Sequence, residues 1–262
     1  MLQAQRLNAM EHKRYGIIIP ACNEEACLPA VLRELREVVD TGRFEIVVGV
    51  NGTSDRSAQV ARESGALVAE TDQRGYGYGC QSAIELLSQA RPPVDAYIFL
   101  AADGANDPRD IAALMTAHER GGALVIGTRT LSRENWGVMG LRHVLANRAL
   151  GFWCGCLTGR FYSDLGPLRL IERNLFEAMQ MREWTYGWTI EPQVRAALMG
   201  ATIREIPVRE RKRIAGMQKV SRVSWRHTLD IGFRIFAAGL WTRLRQDAAD
   251  SANAQSCAAD TA

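Results

Sequence analysis

An α/β fold with a mostly parallel sheet covered by helices on both faces is predicted by two features of the chain. Apolar strand-like runs and amphipathic helical segments alternate from residue 15 to residue 127, and polar or glycine-rich loops follow the strands at their carboxyl ends. The 262 residues, 47% of them hydrophobic, suffice for one substantial core and are too few for two full domains.

The elements follow in order. Tyr15 to Pro20 (YGIIIP) is the continuous apolar run of a strand buried on both faces. Leu28, Val31, Leu32, Leu35 and Val39 then recur at helical spacing. Phe44 to Val50 repeats the strand signal, and Asn51-Gly52-Thr53-Ser54-Asp55 breaks it before a helix over 56–64. Leu67 to Glu70 is a short strand, and the glycine-rich stretch from Arg74 to Gly79 opens a helix reaching about Gln89. Asp95 to Leu100 is a strand that stops at Ala101-Ala102-Asp103-Gly104. Asp107-Pro108 starts the next helix, since proline suits a first turn. Leu124 to Gly127 closes the alternation, which predicts right-handed crossovers. Beyond Arg129 the pattern is irregular: helices are expected over 141–158, 173–181, 190–199 and 224–245, with a strand over 202–208. The organisation expected is a flexible start over 1–13, an α/β domain over 14–221, a basic amphipathic helix over 222–246, and a disordered tail over 247–262.

Charge is nearly balanced, 32 basic against 29 acidic residues, which gives no reason to expect nucleic acid as a partner. From Arg204 to Arg245, however, basic residues far outnumber Glu205, Glu210 and Asp230, so that end should seek something anionic. The six cysteines show no repeated C-x-x-C pattern and read as reduced thiols, Cys154 and Cys156 as small buried ones. No apolar run reaches the roughly 18 residues of a membrane span, and the polar start lacks a signal-peptide core. A cytoplasmic address is the expectation. Trp225, Leu229, Phe233, Phe236 and Leu240 form one stripe of the last helix, ringed by arginines. Such a helix lies in a membrane interface, or it packs its stripe on the domain or a second subunit.

In an open parallel sheet ligands gather at the carboxyl ends of the strands, where helix N-termini offer free N–H groups. Four polar loops fall there: Pro20 to Glu25, Asn51 to Asp55, Asp72 to Gly79, and Ala101 to Asp107. Each has a plainer reading, with Ser54 or Asp55 capping a helix and Glu24 and Glu25 serving as first-turn acids. Gly75, Gly77 and Gly79 are spaced G-x-G-x-G after the third strand, which does not match the dinucleotide fingerprint. Close approach to a substrate, or a tight helix start, fits them better.

The segments IIIPACNEEACLPAVL, VVGVNGTSD, RGYGYG, FLAADGANDP, GTR, SDLGPLRLI, YGWTIEPQVRAA and IREIPVRERKRIAGMQK span about residues 15–220. In that order they resemble family 2 glycosyltransferases with the GT-A fold, and within them the polyprenyl-phosphate (dolichyl-phosphate-mannose-synthase-like) group. The resemblance implies inverting transfer of a sugar from a UDP- or GDP-linked donor to a lipid phosphate. It implies that Pro20, Ala21, Asn23 and Glu25, with Asn51 and Gly52, frame the nucleotide, and that Arg74, Gly75 and Ala102 complete the donor site. Asp103 matches the second carboxylate of the family's D-x-D motif, which holds Mg²⁺ or Mn²⁺ against the leaving diphosphate. Ala101 replaces the first carboxylate, and Ala105 stands where the group often has an amide, which weakens the expectation of a metal. Arg213 and Lys219 match an R-x-x-G-x-x-K element that closes over the phosphates, while Arg129 and Arg142 match the arginines that hold the acceptor phosphate. For a hydroxyl acceptor a base is needed: Asp164 is the first candidate and Glu191 the second. Their structural alternatives are a turn cap for Asp164 and an arginine pair for Glu191. A non-catalytic nucleotide-sugar or lipid-phosphate binding protein is the remaining alternative.

Overall fold

The computed structural model describes residues 13–40, 42–215 and 230–246. The expected tail, Lys219 and the first turns of the last helix lie outside the described residues.

Seven strands form one sheet in the order β3-β2-β1-β4-β6-β5-β7. They are β1 (Tyr15–Ala21), β2 (Phe44–Asn51), β3 (Leu67–Thr71), β4 (Ala96–Phe99), β5 (Leu124–Thr128), β6 (Arg169–Glu172) and β7 (Ile203–Pro207). The helices are α1 (Leu28–Val38), α2 (Ser57–Glu63), α3 (Tyr76–Leu87), α4 (Ile111–Glu119), α5 (Arg133–Met139), α6 (Leu141–Thr158), α7 (Arg173–Met179) and α8 (Glu191–Leu198). A last helix, α9, spans 230–246.

The predicted alternation holds from β1 to β5. Strands β1, β2, β3 and β4 pair in parallel, as do β5 and β7. Strand β6, which no alternation in the sequence marks, is antiparallel to both β4 and β5 and separates them. The sheet is buried on both faces because successive strand residues point to opposite sides. Tyr15, Ile17 and Ile19 pack with Leu28, Leu32 and Leu35 of α1 and with Leu114 of α4. Ile18 and Val47 face the other layer, with Ala83 and Leu87 of α3 and with Trp188 and Val194. Helix α9 docks on α6 through Trp153 and Phe236, whose rings stack 3.9 Å apart.

The glycines before and within α3 owe their place to the protein's own packing. A Cβ on Gly77 would lie 2.7 Å from Trp184 Cα, and one on Gly79 would lie 2.8 Å from Asn51 Oδ1 and the Gly49 carbonyl oxygen. The close approach expected of a substrate is made here by Trp184 and by β2. Of the described cysteines none is in a disulfide; Cys154 is buried and Cys156 exposed, which corrects the expectation of two buried thiols.

Candidate active site

The loop after β4 carries Asp103. Ala101 N donates to Asn106 Oδ1 at 3.0 Å and Ala105 N to Asp103 Oδ1 at 3.0 Å, so the loop is tied at both ends. Asn106 is thereby a buried structural residue, and Asp107 caps the following turn by accepting from Arg109 N at 3.0 Å. The segment after β7 then runs antiparallel along this loop. Arg211 N donates to the Ala105 carbonyl at 2.8 Å, Ile214 N to the Asp103 carbonyl at 3.0 Å, and Asn106 and Glu210 form a bridge. That pairing brings Arg213 to the site, where it contacts Asp103 Oδ2 at 3.5 Å and pairs with Glu24.

Glu24 and Glu25 part company here. Glu24 is buried and faces the site, whereas Glu25 accepts from Arg56 N at 3.0 Å and orders the loop after β2. Of the two, Glu24 lines the cavities described next and Glu25, expected at the donor, does not. Asn23, at φ 55°, accepts from Ser54 N at 2.8 Å and from Thr53 Oγ1 at 3.1 Å, so its side chain clamps two loops together. Gly52 closes the same turn by donating to the Thr71 carbonyl, and Ala21 is buried at the end of β1. None of these three lines either of the cavities described next.

Two cavities open at the strand ends. One, of about 410 Å³, is lined by Asp103, Ala101, Ala102, Arg129, Glu210 and Arg213 among others. The second, of about 560 Å³, is lined by Asn51, Arg74, Gly75, Tyr186, and Ile231 and Ile235 of α9. Pro20, Glu24 and Tyr76 line both, so the cavities meet there. The expected donor residues Pro20, Asn51, Arg74 and Gly75 gather in the second cavity and Asp103 and Ala102 in the first.

Arg129 faces the first cavity with its guanidinium already engaged. Its Nε and Nη2 donate to the two carboxylate oxygens of Asp164 at 2.9 Å, and its Nη1 lies 3.5 Å from Glu210 Oε1. Asp164, expected as a base, is fully buried and spends both oxygens on Arg129. Its surroundings are fixed in turn, because Glu205 Oε1 accepts from Ser163 N at 2.9 Å and from Ser163 Oγ at 2.6 Å. Glu191 is also fully buried. It accepts from Arg182 N and Glu183 N and pairs with Arg195 at 2.7 Å, the arginine pairing foreseen as its structural alternative. Arg142 points outward from α6, and the residues of that helix lining the cavity are His143 and Asn147.

No local pattern in the sequence marks Glu210 as a site residue. It lines the first cavity, and its Oε2 is buried without a hydrogen-bond partner. Burial, helped by the charges of Asp103 and Asp164 and opposed by Arg129, pushes its carboxyl up to about 7. A lone glutamate in an arginine-rich run reads as surface charge; only the antiparallel pairing with residues 103–106 turns it inward.

Among the described residues no group of three or more His, Cys, Asp or Glu is placed to hold a metal ion. Asp103 is one carboxylate, a quarter exposed, facing the cavity of about 410 Å³. That donor set suits an ion of the Mg²⁺ type, which accepts one carboxylate together with substrate phosphates and keeps several waters.

Similar chains include an uncharacterized glycosyltransferase of Mycobacterium tuberculosis, 29% identical over 78% of this chain and 88% of its own length. The dolichyl-phosphate hexose transferase of Haloferax volcanii is 28% identical over 78% of this chain and 86% of its own. The undecaprenyl-phosphate 4-deoxy-4-formamido-L-arabinose transferase of Photorhabdus laumondii is 29% identical over 64% of this chain and 51% of its own. Among solved structures, glucosyl-3-phosphoglycerate synthase of Mycobacterium tuberculosis, in complex with Mn²⁺, UDP and phosphoglyceric acid, superposes with a TM-score of 0.68. It is 18% identical over 92% of this chain and 82% of that one, which shows a shared GT-A fold. Residues 16–197, more than half of the chain, match the Glycosyl transferase family 2 profile, and the protein is a glycosyltransferase of that family.

Proposed function

We propose that the protein transfers a sugar from a nucleotide donor to a polyprenyl-phosphate-type lipid, with inversion, at the cytoplasmic face of a membrane. The observation that carries this reading is the junction of the two cavities at Pro20, Glu24 and Tyr76, with Asp103 on the first and exposed apolar side chains on the helices that wall both. The second cavity takes the nucleoside of a UDP- or GDP-sugar, and the first takes the diphosphate, the sugar and the acceptor phosphate. The relatives named for dolichyl and undecaprenyl phosphate support a lipid acceptor.

An acceptor phosphate oxygen attacks the anomeric carbon from the face opposite the diphosphate, and the nucleoside diphosphate leaves. The acceptor is ionised near neutrality, so it needs orientation rather than a strong base. Arg129, fixed by Asp164, supplies part of that orientation. Asp103 would hold Mg²⁺ or Mn²⁺, whose charge stabilises the leaving diphosphate. Arg213, tied to Asp103 and Glu24, positions Asp103, and Lys219 is proposed to join it over the phosphates. No helix of the described residues is long and apolar enough to cross a membrane, so the contact proposed is peripheral, through α6 and α9.

The test is transfer by the purified protein from UDP- and GDP-sugars to a short-chain polyprenyl phosphate with Mn²⁺. Turnover that falls about 100-fold or more in Asp103→Ala supports the reading. Nucleotide-sugar binding without turnover on any acceptor would leave a binding protein instead.

A further inference from the structure

The wall of the first cavity carries a ring nitrogen without a partner. His143 sits in the first turn of α6, half-buried, and lines the cavity beside Val138, Met139 and Asn147. Its Nδ1 lies 3.0 Å from the Met139 carbonyl oxygen. A carbonyl only accepts, so Nδ1 carries the hydrogen, and in the neutral ring the lone pair is on Nε2 at the opposite edge. Nε2 makes no hydrogen bond among the described residues.

The turn that carries the ring is fixed from two sides. Asn147, one turn on, donates from Nδ2 to the His143 carbonyl at 2.9 Å, and its Oδ1 accepts from Nη2 of Arg129 at 3.4 Å. Val144, next in the chain, is buried and anchors the same turn on the domain. The imidazole thus stands on the wall that also carries Arg129.

The carboxylates in and behind that wall are engaged or out of reach. Both oxygens of Asp164 are held by Arg129, Glu24 pairs with Arg213, and Oε2 of Glu210 is withdrawn from solvent. Asp103 is the carboxylate assigned above to the metal of the leaving diphosphate. An acceptor that brings an O–H group into this cavity therefore meets Nε2 of His143 as its accessible base. The side chains next to it, Val138, Met139 and Pro167, are apolar, so the acceptor that fits is a hydroxyl on a hydrocarbon body.

We propose that the protein also transfers its sugar to a lipid alcohol, with His143 as the general base. Nε2 takes the hydroxyl proton while the acceptor oxygen bonds to the anomeric carbon. The bond from that carbon to the diphosphate breaks, and its electron pair leaves with the nucleoside diphosphate. The imidazolium then gives its proton to water. This activity shares the donor cavity with the lipid-phosphate reading and does not depend on its acceptor, since an ionised phosphate brings no proton that must be removed.

The experiment compares two acceptors with the same hydrocarbon, citronellol and citronellyl phosphate, on the full chain with Mn²⁺ and UDP-glucose, UDP-N-acetylglucosamine or GDP-mannose. The wild type should glycosylate citronellol. His143→Ala, a change that a half-exposed helix position tolerates, should lose about 100-fold or more in kcat on citronellol and far less on citronellyl phosphate. Added imidazole should restore part of the citronellol rate, which it would not do for a residue that only packs. Ring-nitrogen NMR at mildly alkaline pH should show Nδ1 of His143 protonated and Nε2 bare. The opposite tautomer overturns the proposal, as do equal losses on the two acceptors and a wild type that leaves citronellol untouched with every donor. Transfer to citronellol without transfer to citronellyl phosphate would keep this inference and remove the lipid-phosphate reading instead.

Discussion

The guanidinium of Arg129 forks onto the carboxylate of Asp164, with Nε and Nη2 each 2.9 Å from an oxygen and the Arg129 backbone N–H adding a third bond at 2.8 Å. The pair is almost wholly withdrawn from solvent, so removing one charge leaves the other uncompensated. Asp164→Asn is expected to cost about 3 kcal/mol, which lowers Tm by roughly 6–12 °C in a chain of this size. Urea denaturation and thermal melting measure it. A variant that melts like wild type yet loses kcat would return Asp164 to the role of base.

The metal expectation can be probed at Ala101, which lines the same cavity as Asp103. A second carboxylate there adds a hard oxygen ligand where the first one stands nearly alone. Ala101→Asp is expected to tighten Mn²⁺ at least tenfold, read from free Mn²⁺ by electron paramagnetic resonance without substrate. Unchanged affinity would mean that position 101 does not share an ion with Asp103.

Glu24 and Glu25 offer a test within one dipeptide. Glu24→Gln weakens the tie to Arg213 at the junction of the cavities, so the donor KM should rise severalfold, and because that pair is buried Tm should fall by several degrees as well. Glu25→Gln touches Arg56 on an exposed loop and should leave KM within twofold. The reverse pattern would place the donor on the other side of the loop.

What the sequence made legible were the features carried by local pattern. The run Tyr15 to Pro20, the break at Asn51, and the loop at Asp103 each announce a strand end, and residues of all three line the two cavities. What it hid depends on long-range pairing. Strand β6 is four residues long and enters between β4 and β5 from the far side of the chain, so no alternation marks it. The inward turn of Glu210 needs the bridge to Asn106, and the choice of His143 over Arg142 needs the rotation of α6 set by its packing. Asp164 and Glu191 stand at family positions, but their burial and partners are tertiary facts.

Glu210 also leaves a mark on stability. Its carboxyl rises from the ordinary 4.5 to about 7 in the folded chain, so the folded state binds a proton between those values that the unfolded state has released. Stability attached to this group is present below pH 4.5, declines as pH rises to 7, and is flat beyond. Glu210→Gln escapes the loss. It should match wild type near pH 4.5 and exceed it above pH 7 by on the order of 3 kcal/mol. Melting curves at unit pH steps from 4.5 to 8 show it, and equal pH dependence in the two proteins would deny the buried environment of Oε2.

The helices that wall the cavities carry apolar side chains on their outer faces. On α6, His143 and Asn147 look into the first cavity while Leu145 and Phe152 are exposed; on α9, Ile231 and Ile235 line the second while Phe233 and Trp241 are exposed. Phe233 is 70% and Phe152 61% accessible, large values for aromatic rings that water disfavours. Arg234 and Arg245 lie on the same helix, the mixture that seats a helix at an anionic lipid surface. Burying one such ring contributes roughly 1.5–3 kcal/mol. The double variant Phe233→Ser, Trp241→Ser should therefore lose at least tenfold in cosedimentation with vesicles containing anionic lipid, while transfer to a soluble short-chain acceptor stays near wild type. If the wild type ignores vesicles and runs as a dimer that the double variant dissolves, the face is covered by a second subunit and the membrane contact falls.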